Sequence, residues 1–428
     1  MTTTPARRIH RLTLLAWLLC MQPLFTLIIR GWSSATLVLG GLACLVALIV
    51  SRKVLFRAVP GSLSKGWEFH SFLLSNSLLF VCVALLGLVR NDVHPAMLDS
   101  PARFLFAIPV FILLRQLRVN ITQTLLLCVT LGLLFTLADQ TFFPSKNPWS
   151  KDRMSSHFAD PLAFGYIALS FSMMALTSLV YPERPSRWRA LLTVLAICAG
   201  IYMSIMTASR TGWLAIPLVV MFLLYLKRKQ LNLRTTAISL CLVVAAPIVA
   251  FGVSENVRSR VNAAVNDVAG YSFEGIAPDT SVGMRITFLR IASDMIAEQP
   301  LTGYGDTQAK KPEVPAIVKT YASPFTIDFA LSSGFHNEVV TNAVQYGVPS
   351  GVAALLLFLV PLAIYWKNLN NPLPSNRLAA ALGIAFCLTY FISSLSTEVF
   401  GLKYTASLYG LMTAILCAAA TRPEPQTP

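Results

Sequence analysis

Apolar stretches long enough to cross a hydrocarbon layer of about 30 Å recur from near the first residue to near the last, and no other feature restricts the fold so tightly. They lie near residues 12–29, 35–50, 70–89, 102–115, 121–138, 161–180, 190–206, 212–226, 235–253, 350–366, 378–394 and 403–420. The stretch at 102–115 is short and contains Pro109. Composition agrees: 55% of the residues are hydrophobic and 12% charged, against about 25% charged in soluble domains. A water-soluble fold is excluded. The expectation is an all-α polytopic membrane protein of about twelve transmembrane helices.

Basic residues test that count, because Lys and Arg accumulate in short cytoplasmic loops while acids carry little topological weight. With Arg7, Arg8 and Arg11 in the cytoplasm, twelve spans bring Arg52/Lys53/Arg57/Lys65, Arg115/Arg118, Arg184/Arg187/Arg189, Lys227/Arg228/Lys229/Arg234, Lys367/Arg377 and Arg422 to the same side. The only acids among them are Glu68, Glu183 and Glu424. Both termini are therefore expected in the cytoplasm. The net charge of +15 sits almost wholly in these loops. It is an orientation signal that also favours anionic lipid headgroups, not a nucleic-acid surface. The first stretch continues into further spans, so no cleavable signal is needed. All eight cysteines fall inside predicted spans, which implies neither a disulfide in an exported loop nor a zinc cluster.

One loop, from about Ser254 to Ser350 on the exported side, breaks the run of tight connections, and loops of that length are uncommon unless functional. The chain divides into 1–253 with nine spans, 254–349 as the exported loop, and 350–428 with three spans and a cytoplasmic tail. No composition shift marks a separate soluble domain. Within the loop, Ser281 can cap a helix to about Glu298, with Met284, Phe288, Ile291 and Met295 on one face. Such an amphipathic helix fits against the membrane surface or over the bundle. Pro300 stops it, and Gly303-Tyr304-Gly305-Asp306 forms a turn.

Few titratable groups face the exported side. His336 is the only histidine of the loop and can accept a proton at working pH, as a general base must; its plain alternative is a helix cap or headgroup contact. Arg210 lies in Thr207-Ala208-Ser209-Arg210-Thr211-Gly212, a tight turn between two spans, where a fixed charge calls for an anionic partner unless it only snorkels. Arg285 opposes the macrodipole in the first turn of the loop helix, unless Asp279 or Glu274 pairs with it. Glu398, at the exported end of the eleventh span, can orient His336, pair with an arginine or stand as a helix-end carboxylate. Arg153 and His157 precede the sixth span and can line a substrate entrance or be solvated. Asn337 beside His336 completes the substrate-binding candidates. The chain has no Asp-x-Asp pair to hold a metal against a diphosphate, no phosphate loop and no Gly-x-Ser-x-Gly elbow. Arginine would have to neutralise any phosphate, a role its planar fork of donors suits.

The chain resembles the O-antigen ligase family of bacterial envelope glycosyltransferases, which is related to O-antigen polymerases and protein O-oligosaccharyltransferases. The resemblance rests on the span layout, the long loop, Thr-Ala-Ser-Arg-Thr-Gly-Trp at 207–213, Arg285 ahead of Gln299-Pro300-Leu301-Thr302-Gly303-Tyr304-Gly305, and His336-Asn337-Glu338 leading to Tyr346-Gly347. It implies transfer of a polysaccharide from undecaprenyl diphosphate to the lipid A-core, at the periplasmic face of the inner membrane, without metal or other cofactor. It also implies that His336 matches the family's essential histidine, and Arg210 and Arg285 its essential arginines. Glu398 stands where relatives often carry aspartate. An O-antigen polymerase is the nearest rival reading, and a lipid-linked sugar transporter a more distant one.

The topology has a direct test. In a cysteine-free background, single cysteines replacing Lys311 or Lys403 should react with an impermeant thiol reagent from outside, and one replacing Lys229 should not. Labelling of all three, or of the Lys229 position alone, would overturn the orientation.

Overall fold

The computed structural model describes residues 5–51, 66–117, 119–144, 153–181, 186–209, 212–232, 241, 245, 252 and 255–423. The described residues form helices and no strand. They are α1 (Pro5–Cys20), α2 (Gln22–Phe25), α3 (Trp32–Val50), α4 (Trp67–Val89), α5 (Pro95–Gln116), α6 (Ile121–Phe142), α7 (Pro161–Val180), α8 (Arg187–Met206) and α9 (Ala215–Lys227) in the first part of the chain. After α10 (Glu255–Ala269) come α11 (Ser281–Glu298), α12 (Thr307–Lys310), α13 (Val318–Tyr321), α14 (Pro324–Ser333), α15 (Glu338–Asn368), α16 (Pro374–Ser394) and α17 (Lys403–Ala420). Among the described residues eight helices are long and apolar enough to span a membrane: α3 to α8, α15 and α16.

Several expectations change in detail. The doubtful stretch at 102–115 belongs to a 22-residue helix that keeps both Pro101 and Pro109 inside it. The first stretch is broken at Met21 into α1 and the one-turn α2. The ninth, 235–253, lies outside the described residues except for Cys241, Ala245 and Gly252. The cap of α11 is Thr280, not Ser281: the Thr280 hydroxyl accepts from the Gly283 amide.

The largest departure concerns 277–344. Phe288, Ile291 and Met295 of α11 close, with Val318, Tyr321, Leu331 and Phe335, on a hydrophobic core separate from that of the bundle. The region is a folded cap with its own interior. No shift in composition announces it, because its apolar residues serve this small core as others serve the bundle.

Two of the sequence motifs form the joint between cap and bundle. The helix α15 is broken at Tyr346 and Gly347, and Gly347 has φ 74° and ψ 167°, a conformation essentially reserved for glycine. Restarting at 348 leaves roughly 30 Å of helix to Asn368 at 1.5 Å per residue. The Gln299–Gly305 run lies across the break. Tyr304 and Gly305 donate to the carbonyls of Val344 and Gln345, at 2.9 and 2.7 Å, and Val348 donates to that of Pro300 at 2.8 Å. A Cβ on Gly347 would stand 2.3 Å from the Leu301 carbonyl oxygen, and one on Gly303 2.5 Å from the Gly347 nitrogen. Polar contacts extend the joint to the α4–α5 connection: Arg90 donates to the Gly303 carbonyl, and Lys310 pairs with Asp92 at 2.8 Å.

Gly347→Ala should therefore cost about 3 kcal/mol, combining a forbidden backbone region with a steric conflict. Gly275→Ala, at φ 69° with no atom in the way, should cost only the left-handed strain of about 1 kcal/mol. Thermal unfolding and protease sensitivity of the cap measure both. Equal melting of the two variants would refute the joint.

Candidate active site at the seam of cap and bundle

His336 stands where the cap meets α15. After α14 the chain passes Gly334, then turns through His336 at φ 52°, a left-handed conformation strained for a side chain with a Cβ. Asn337 ends the turn by capping α15, its Oδ1 accepting from the Val339 and Val340 amides at 3.1 and 3.2 Å. The amide NH₂ is then what Asn337 offers a ligand. The imidazole packs beside Phe288 and Phe329 in a cluster of three rings, with their centroids 5.7 and 5.9 Å away. Its Nδ1 is buried without a hydrogen-bond partner and faces Glu398 Oε2 at 3.9 Å. Burial, reinforced by the positive field of Arg285, pushes the histidine down to about 4. The resting imidazole is neutral.

Glu398 belongs to the connection between α16 and α17. Its Oε1 accepts the Thr341 hydroxyl at 2.8 Å, and the same hydroxyl oxygen accepts the Phe335 amide at 3.1 Å. Burial raises this carboxyl above the ordinary range, against the opposing effect of its hydrogen bonds. Gly334 allows the close approach, since a Cβ there would sit 2.4 Å from Glu398 Oε1.

Glu338, quoted from the sequence only as part of a motif, holds this arrangement in register. It is 3% exposed, and its carboxylate accepts the Phe400 amide at 2.8 Å and the Asn342 side-chain amide at 2.7 Å. The start of α15 is thereby tied to the segment that carries Glu398. In the sequence an acid in the first turn of a helix satisfies the macrodipole, and that ordinary reading hides the latch.

Arg285 is on the exposed side of α11 and donates to Ser281 at 3.4 Å, while Asp279 accepts the hydroxyls of Ser323 and Thr326. Arg153 donates to the Thr207 carbonyl at 2.8 Å, and Met154 to that of Met206 at 2.9 Å. The segment before α7 thus buttresses the end of α8 at Met206 and Thr207. Arg210 and Thr211 lie outside the described residues. Gly212, the next described residue, packs against α16: a Cβ there would meet Ser393 Oγ, near the end of α16 that leads to Glu398. The structure thus gathers His336, Glu398, Asn337 and Arg285, with Arg153 on an adjoining turn. His157 is exposed.

Fold and site define an all-helical, multi-pass protein with a capped polar centre at one end of an apolar bundle. Residues 193–355 match the model of the O-antigen ligase family, and over this segment the chain is similar to that family. The match takes in the 207–212 turn, the cap, His336 and the joint; Arg153 and Glu398 lie beyond it. The chain is also 23% identical over 373 residues to an uncharacterized protein of Haemophilus influenzae, covering 84% of this chain and 86% of the relative.

Because His336 titrates near 4 when folded and about 6.5 when unfolded, its neutral state stabilises the fold above pH 6.5, and this contribution is lost as pH falls through 4. In a variant keeping only this histidine, modification by diethyl pyrocarbonate should stay level down to about pH 5. Arg285→Gln should move the midpoint upward. A midpoint near 6.5 that ignores Arg285 would contradict the site's electrostatics.

Proposed function

We propose that the protein is an O-antigen ligase that moves a polysaccharide from undecaprenyl diphosphate to a sugar of the lipid A-core. The reaction would occur at the periplasmic face of the inner membrane. In this reading the bundle has twelve spans, nine before residue 254 and three after 349, and both termini are cytoplasmic. The 254–349 region carries the catalytic cap. The observation that supports it most is the neutral, desolvated imidazole of His336, set between a carboxylate and the field of Arg285.

The chemistry follows from those groups. The acceptor hydroxyl attacks the anomeric carbon as His336 Nε2 takes its proton, and Nδ1–H turns toward Glu398, which steadies the imidazolium. The bond from the anomeric carbon to the diphosphate oxygen breaks, and its electron pair leaves with the diphosphate. Arg285 and Arg210 neutralise that charge, and preorganised cations in a water-poor site are strong there. A single displacement inverts the anomeric centre. No metal takes part in this scheme. Arg153 and Asn337 contact substrate at the margin.

One consequence concerns timing. The field that weakens the base comes from the group that binds the donor, so a diphosphate paired with Arg285 cancels it. Proton affinity at His336 then rises toward its ordinary value. The base therefore gains strength only when a donor is present.

A base and a diphosphate clamp should fail differently. His336→Ala should leave donor binding nearly intact and lower turnover by roughly a hundred- to ten-thousand-fold. Arg210→Ala and Arg285→Ala should lower turnover and also weaken donor binding, with lysine rescuing only in part because it lacks the bidentate fork. Donor affinity and single-turnover rate in nanodiscs separate the roles. Loss of donor binding in His336→Ala, with normal binding and turnover in the arginine variants, would reverse the assignment.

A further inference from the structure

The end of the bundle away from the cap carries a groove of about 690 Å³ that the site chemistry does not use. It opens where α6, α8 and α16 begin and α7 ends, and its walls change character with depth. On α6 the lining passes from Asn120 and Gln123 at the mouth to Leu127 and Leu131. On α8 it passes from Arg189 to Leu192, and on α16 from Ser375 to Leu378. From Asn120 to Leu131 the groove runs about 16 Å along α6, at 1.5 Å per residue. That is about the depth of one leaflet of a 30 Å hydrocarbon core.

The mouth is positive for two independent reasons. Arg189 is in the wall, and no carboxylate is among the described lining residues. Three helices also start here without a side-chain cap: Asn120, Ser186 and Leu373 leave the first amides of α6, α8 and α16 unpaired by their own side chains. Such ends carry partial positive charge. Lys227 lies over the ring of Tyr181, which lines the groove as well. Cationic at the surface, apolar within and one leaflet deep, the groove has the profile of an amphiphile with an anionic head.

We propose that this groove is a binding site for an anionic glycerophospholipid of the leaflet at the basic end of the bundle. The phosphate lies against Arg189 and the helix starts, and an acyl chain runs along Leu127, Leu131, Leu192 and Leu378. The site is separate from the seam that holds His336: α6 and α8 run away from the groove toward the cap end, and α16 reaches Glu398 only after its full length.

The test is lipid retention by the full-length protein, read by native mass spectrometry after extraction and exchange into dioleoylphosphatidylglycerol or dioleoylphosphatidylcholine. The wild type should retain phosphatidylglycerol in preference. Arg189→Gln should reduce that preference about fivefold, the effect of one basic residue at a charged lipid surface. Leu127→Trp and Leu192→Trp, at positions already exposed, should reduce retention of both lipids without lowering the melting temperature. Arg228→Gln, at the same end but outside the groove, should change nothing. Equal retention of the two lipids by the wild type, or undiminished retention in both tryptophan variants, would overturn the proposal. Arg189-dependent preference for farnesyl phosphate over phosphatidylglycerol would overturn it too, making the groove an isoprenoid site.

Discussion

The backbone contact between Gly303 and Gly347 is the constraint on which the capped end depends. His336 and Arg285 belong to the cap or its edge, while Glu398 belongs to the bundle, so the site exists only while the two stay in register. Two hydrogen-bonded crossings at Tyr304 and Gly305, a third at Val348, and a glycine conformation closed to other residues fix that register. Glu338 repeats the device on the other flank, binding the start of α15 to the Phe400 amide. A buried carboxylate satisfied by two amides is a strong tie, because removing either side leaves a desolvated polar group.

With the frame fixed, burial governs the chemistry. It pushes the imidazole toward its neutral form and raises the neighbouring carboxyl above its ordinary range; with the imidazole neutral, His336 and Glu398, 3.9 Å apart, are not an ion pair at rest. Neither group is stabilised by the other until a proton arrives. In the proposed reaction the imidazole takes a proton from the acceptor and Glu398 answers the charge. The strained φ of His336 points the same way, since strain survives where the surroundings hold it and where geometry matters.

Much of this was legible in the chain. Span length and hydropathy are local properties, and they placed α3, α4, α6, α7, α8 and α16 to within about four residues, while α5 and α15 begin well before the predicted stretches. The loop helix at 281–298 was legible for the same reason, through its apolar spacing and Pro300, although its cap is Thr280. His336, Arg285 and Glu398 stood out in the chain as titratable groups in or beside the long loop, and the structure brings them near one another. The cap's separate core was not, because apolar residues carry no label for the core they join. Nor was the latch of Glu338, or the aromatic walls of Phe288 and Phe329, since each depends on partners far away in sequence. The Gln299–Gly305 and Tyr346–Gly347 motifs were visible as separate turns. That they are halves of one joint is a fact of tertiary structure.

The most direct measurement is transfer by the purified protein in nanodiscs, supplied with an undecaprenyl diphosphate-linked polysaccharide and a choice of acceptors. The account predicts a new glycosidic bond to the lipid A-core sugar, with inverted anomeric configuration and release of undecaprenyl diphosphate. Elongation of a second carrier-linked chain alone, or movement of the lipid-linked glycan across the bilayer without a new bond, would contradict it.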